Sequence, residues 1–269
     1  MFGWTSGGHA SPSYAVGMSY PTDHAREATG RGRAVSDRPP KVLDQGGKAL
    51  VALAGEVSAC RACPRLVAHR EAVAATRRAA FADQVYWGRA VPGFGDPGAR
   101  ILVVGLAPAA HGANRTGRIF TGDRSGDWLF AALWRAGLAN QPTSVAADDG
   151  MRLDGVYVTA AVRCAPPDNR PTPEERDRCL PFLRRELAIL EQVRVVVALG
   201  GFAYQVLATE LGIRPRPRFG HGVEADAPNG RLVVCSYHPS QQNTFTGRLT
   251  EAMLDAVVER ARAKALAGG

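Results

Sequence analysis

The chain has 269 residues, 45% of them hydrophobic, and a net charge of +8 that rests almost wholly on arginine, since its only lysines are Lys41, Lys48 and Lys264. That length suits one large α/β domain. The lack of a long apolar run, and of a basic-then-apolar start, argues against a membrane span or a secretory signal, so a cytoplasmic protein is expected. Arginine's planar fork grips two phosphate oxygens, so the charge points towards a polyanion, although genome-wide composition bias gives the same excess.

Residues 1–40 are rich in Gly, Ser, Pro and Arg and lack sustained periodicity. They are expected to be a disordered tail, or the product of a start codon placed too early, ahead of a single domain over 41–269. From Lys48, "KALVALAGEVSAC" has helical spacing. Four apolar, β-branched runs follow: "RILVVGL" (100–106), "GVYVTAAV" (155–162), "VRVVVALG" (193–200) and "GRLVVCSY" (230–237). Between and after them lie the helical patterns "SGDWLFAALWRAGL", "TPEERDRCLPFLRRELAILEQV", "GFAYQVLATELG" and "TGRLTEAMLDAVVERARAKAL". Thr172 is an N-cap candidate, with Pro173 at the first helical position and Glu174 and Glu175 suited to the positive end of the dipole. Near-continuous apolar strands alternating with helices predict a four-stranded, mainly parallel sheet covered on both faces, a three-layer α/β/α fold.

Ligands of open parallel sheets sit at the carboxyl ends of the strands. Three polar, irregular stretches begin there: "GLAPAAHGANRTGRIFTGDRSG" (105–126), "RCAPPDNRPTP" after Val162 and "HPSQQNTFTGR" after Tyr237. Their placement predicts that they converge on one cleft.

Four of the five cysteines fall in two pairs, Cys60 with Cys63 in "CRAC", and Cys164 with Cys179 around a proline-rich loop. A C-x-x-C brings two thiolates to one metal centre. Zinc and a [4Fe–4S] cluster both accept four thiolates, and unrelated buried cysteines fit the spacing as well. Cys235, inside the last apolar run, reads as a core residue.

Taken together, the three polar stretches and the C-x-x-C…C…C order resemble the uracil-DNA glycosylase superfamily from about Leu50 to Ala265, specifically its family 5 (type b) iron–sulfur branch. The resemblance implies a uracil-DNA glycosylase-like fold and a [4Fe–4S] cluster on Cys60, Cys63, Cys164 and Cys179. It also implies removal of uracil, and of other deaminated bases such as hypoxanthine and xanthine, from DNA; separately, a monomer is expected. His238 matches the family histidine that donates to the uracil anion as the glycosidic bond breaks. Ala107 stands in the base pocket where classical members carry a water-activating Asp, and Leu106 where a sister branch carries a Glu.

With no carboxylate early in that loop, Asp123 is the candidate for positioning water or steadying the cationic sugar. Its competing role is to tie the loop to Arg118 or Arg124. Asn114 is a second polar candidate, and Phe120 aligns with the aromatic that stacks on the flipped base. Ala160 lies near the position of a uracil-reading Asn in relatives, so amide contacts are expected from Asn169 or from backbone groups. Gln241, Gln242 and Asn243 are candidate minor-groove contacts, while Ser240 and Arg248 are candidate phosphate contacts.

Two rivals remain: a damage-binding or covalently trapping homologue, and a dinucleotide-binding enzyme. Against the latter, no G-x-G-x-x-G follows the first strand and no acid ends the second. The basic segment "RPRPRFGHG" (214–222) does not match the added loop of the trapping branch.

Overall fold

The computed structural model describes residues 44–267. The tail expected over residues 1–40 lies outside them. Helix α1 (Gln45–Ala59) starts at Asp44, whose carboxylate accepts from Gly47 N at 2.7 Å. Helix α2 (Pro64–Thr76) follows, with Pro64 in its first turn, and buries Leu66, Val67 and Arg70. Then come β1 (Phe94–Gly95), β2 (Ile101–Gly105), α3 (Ala113–Thr116), α4 (Arg124–Arg135), β3 (Val156–Ala160) and α5 (Pro173–Ile189). The chain closes with β4 (Val195–Leu199), α6 (Gly201–Glu210), β5 (Glu224–Asp226), β6 (Leu232–Ser236), α7 (Gln241–Phe245) and α8 (Glu251–Ala267). Among the described residues, no helix is long and apolar enough to cross a membrane.

The sheet order is β1-β3-β2-β4-β6-β5. The four central strands are the parallel ones expected. The sheet has six strands rather than four, because β1 and β5 add antiparallel edges of two and three residues. Segments that short carry no alternation a sequence pattern can register.

The parallel strands are buried almost throughout, and their side chains alternate between the two faces of the sheet. Ile101 and Val103 pack with α4 and α8, through residues such as Phe130, Leu133, Leu254 and Val258. Leu102 and Val104 face the other way, onto α5 and α6 through Leu183, Leu187, Tyr204 and Leu207. These are the three layers. The pairings Gly105↔Ala160 and Leu199↔Ser236 bring the carboxyl ends of the central strands level, so the loops after β2, β3 and β6 open at one edge.

Helix α5 begins with a full capping box. Thr172 accepts from Glu175 N, and the Glu175 carboxylate accepts from Thr172 N. Further along, α5 is bolted to the sheet by an ion pair at 2.6 Å between Arg163 and Glu186, whose side chains are 1% exposed, with Thr159 Oγ1 also donating to Glu186. A buried pair of this kind is destabilising if one partner is removed, because the other charge is left without compensation.

Candidate active site

The loop from Gly105 to Gly126 is irregular but held in shape. The Arg115 guanidinium donates to His111 O, to Gln84 Oε1 and to Gly122 O, and lies 4.0 Å from the Phe81 ring centroid. Arg118 donates to Ser144 Oγ and pairs with Asp149 at 2.5 Å. Arg124 reaches Thr244 Oγ1 and stacks on Phe245. Neither of those last two arginines binds Asp123, so the expected tie to Arg118 or Arg124 is not formed. Asp123 instead caps α4, its Oδ1 accepting from Gly126 N at 3.1 Å. It packs so tightly on Gly112 that a Cβ there would fall 2.0 Å from Asp123 Oδ2.

A cleft of about 530 Å³ opens at the carboxyl edge of the sheet. It brings together His238, Asp123, Ala107, Phe120, Asn169, Ser240 and Gln242, drawn from all three polar stretches. Phe120 adopts φ +54°, a left-handed conformation that is uncommon for a bulky residue and stands out at a site. Its ring lies over Gly105, where an added Cβ would meet it at 2.6 Å. Thus the glycine that ends β2 is needed for the aromatic to lie beneath the cleft. The His238 ring stands 6.0 Å from that of Phe120, tilted by 30°.

His238 is half-buried, and desolvation pushes its pKa down to about 4, so the imidazole is neutral at physiological pH. A neutral imidazole still carries one N–H donor. Asn243 steadies this histidine by donating from Nδ2 to His238 O at 2.9 Å. That side chain therefore supports the catalytic candidate rather than projecting towards a groove. Ser240 caps α7, its Oγ accepting from Asn243 N at 3.4 Å. The Asp123 carboxyl is shifted up by burial, partly opposed by the α4 amides.

Two candidates lie elsewhere. Asn114 does not line the cleft. Helix α3 turns it into packing at 1% exposure, where Nδ2 donates to Arg70 O at 3.2 Å and to Ala110 O at 3.4 Å. Arg248 lines an adjoining cavity of about 290 Å³ that shares Leu106 and His238 with the cleft, and its guanidinium lies 4.6 Å from the Tyr237 ring centroid. Sequence reasoning missed Arg70 altogether, since an arginine on a short helix carries no sign that it will be buried.

Cys60, Cys63, Cys164 and Cys179 fall in one apolar cluster with Leu53, Val57, Leu66 and Val162, while Cys235 is buried inside β6. Arg70 Nη1 donates to Cys164 Sγ at 2.9 Å, and Arg163 N donates to Cys179 Sγ at 3.2 Å. As free thiols, Cys164 and Cys179 are held protonated by burial, Cys164 pushed up to about 11 and Cys179 to about 12. Among the described residues, no three of His, Cys, Asp or Glu are gathered closely enough to hold a single ion.

Fold and cleft together define a class. The uracil DNA glycosylase superfamily model matches residues 92–262, and the chain belongs to that superfamily. Within it, the chain is similar to the type-5 uracil-DNA glycosylase of Mycobacterium tuberculosis, 56% identical over 229 residues that cover 84% of this chain and 85% of the relative. The type-5 uracil-DNA glycosylase of Thermus thermophilus is 55% identical over 214 residues, covering 79% and 95%. The type-4 uracil-DNA glycosylase of Pyrobaculum aerophilum is more distant, 33% identical over 162 residues that cover 58% and 74%.

Proposed function

We propose that this chain is a DNA repair glycosylase that takes uracil out of the base stack and hydrolyses its N-glycosidic bond, leaving an abasic site. The observation that carries the reading is a neutral His238 in the same cleft as Phe120, at the carboxyl edge of the sheet. Flipping costs a few kcal/mol, least for a mismatched base. The extruded base stacks on Phe120, and Asn169 offers an amide to its polar edge.

As the N1–C1′ bond lengthens, negative charge gathers on the pyrimidine, and the His238 N–H donates to its O2. Preorganised donors aimed at developing charge are the largest single contribution in many such sites. Asp123, which lines the cleft, positions the water that attacks C1′. Ala107 offers only an apolar wall, and Ala160 supplies no amide to the pocket. The reading therefore extends to other deaminated bases, hypoxanthine and xanthine among them.

The reading includes a [4Fe–4S] cluster on Cys60, Cys63, Cys164 and Cys179. Its support is the shared cluster of four cysteines and the N–H donors on two sulfurs, since thiolates accept such hydrogen bonds. When bound, the cluster supplies a structural cross-link and takes no part in bond cleavage. Residues 41–269 act as one catalytic domain, a monomer in the cytoplasm.

The test is a duplex oligonucleotide with one U·G pair, incubated with the protein and then cleaved with alkali. Strand breaks at the uracil are expected, and their absence at micromolar protein removes the enzymatic reading. An SDS-resistant band shift would instead favour the trapping alternative. A panel with hypoxanthine or xanthine at the same position measures how far the pocket tolerates purines.

A further inference from the structure

One basic segment has no place in the cleft chemistry. Arg214, Arg216 and Arg218 alternate with Pro215 and Pro217, and all three arginines are exposed. Elsewhere on the surface, arginines such as Arg61, Arg184, Arg185 and Arg260 are matched to carboxylates. Among the described residues, none of the three strap arginines pairs with an acid. Three uncompensated charges within five residues repel one another, so a strap of this composition suits an external polyanion.

The strap is anchored although it has no regular structure. Ile213 at its start is 4% exposed. Tyr204 Oη donates to Pro217 O at 2.8 Å. Phe219 at its end packs between Tyr204 and Tyr237, at ring separations of 6.0 and 6.1 Å. The prolines further restrict the backbone. A chain fixed before binding loses less entropy when a ligand arrives. Tyr237 immediately precedes His238, and Phe219 and Arg248 both line the cavity that adjoins the cleft. The anchored end of the strap thus borders the cavity that adjoins the cleft.

We propose that the 214–218 strap is a phosphate-tracking contact for duplex DNA on one flank of the flipped nucleotide. It grips backbone oxygens and reads no base, so it sets affinity and salt dependence. This rests on the glycosylase reading for the position of the lesion, but its test does not need turnover.

Equilibrium binding of the full chain to a uracil-free 30-bp duplex is measured over a range of KCl concentrations, for wild type and for the triple variant Arg214→Gln/Arg216→Gln/Arg218→Gln. Removing one arginine–phosphate pairing reduces the slope of log K against log salt by about 0.9, so the slope should become shallower by about 2 to 3. The triple Arg→Lys variant keeps the charge and should restore most of it. An unchanged slope in the Gln variant, or no recovery in the Lys variant, overturns the proposal. With uracil-containing duplexes, trimming one flank should erase the difference between wild type and the Gln variant, while trimming the other leaves it; equal dependence on both flanks also overturns it. If the wild type excises no uracil yet the salt slopes differ as expected, the glycosylase reading fails and the strap stands.

Discussion

At the scale of the residue, His238 is the group on which the proposed chemistry depends most. It sits at the end of β6, where a strand gives way to an irregular loop, and the surrounding protein strips water from its ring. Folding lowers its pKa from 6.5 to about 4. The folded state therefore binds fewer protons than the unfolded chain between those values, so this histidine's contribution to stability is complete above pH 6.5 and is lost as pH falls towards 4. Its ring should stay neutral across the working range, and an NMR titration of the imidazole should show no midpoint near 6.5; a midpoint there would mean that the site is wetter than the structure has it. His238→Ala should lower kcat by about 100- to 1000-fold, the scale of losing one preorganised donor, while DNA affinity changes far less. Equal losses in rate and binding would make the histidine a binding or structural residue.

At the scale of the element, helix α4 depends on the same Asp123 that lines the cleft. Asn caps a helix as well as Asp does, whereas Ala costs about 1 kcal/mol. Asp123→Asn should hold the melting temperature of the wild type, and Asp123→Ala should lose about 2–4 °C. Both should lose at least about 100-fold in kcat if the carboxylate orients the attacking water. An Asn variant that keeps its rate would reduce Asp123 to a cap. The central strands and long helices were legible because apolar periodicity persists over five or more residues, and the convergence of the three loops followed from their places after strands. Other features were not legible. Edge strands β1 and β5 are too short to show a pattern. The burial of Arg70 depends on partners distant in sequence, at Cys164 and Cys60. Asn114 read as a site residue because its loop is polar, but the short turn of α3 directs it inward, and no composition signal reports such a turn.

At the scale of the whole molecule, the four cysteines join separate parts of the chain. Cys60 ends α1, Cys63 caps α2, Cys164 follows β3 and Cys179 lies on α5. One route from this group to the cleft is continuous: Arg70 donates to Cys164 Sγ and to Cys60 O, and its own carbonyl accepts from Asn114 in the active-site loop. A cross-link here should therefore stabilise the α1–α2 segment and, through it, the loop that carries Phe120 and Asp123. The core between the sheet and the α4/α8 layer has its own apolar packing and does not draw on it. On the proposed cluster reading, iron removal by mild oxidation with a chelator should cost at least about 3 kcal/mol, comparable to emptying a large core position, or about 6–12 °C in Tm. Hydrogen exchange should then show residues 44–76 and 105–123 losing protection while α4, α8 and the central strands keep theirs. Purified protein that holds no iron yet melts at the same temperature after treatment would remove the cluster from the account. Uniform loss of protection would show that the cysteines support the entire fold rather than one flank of it.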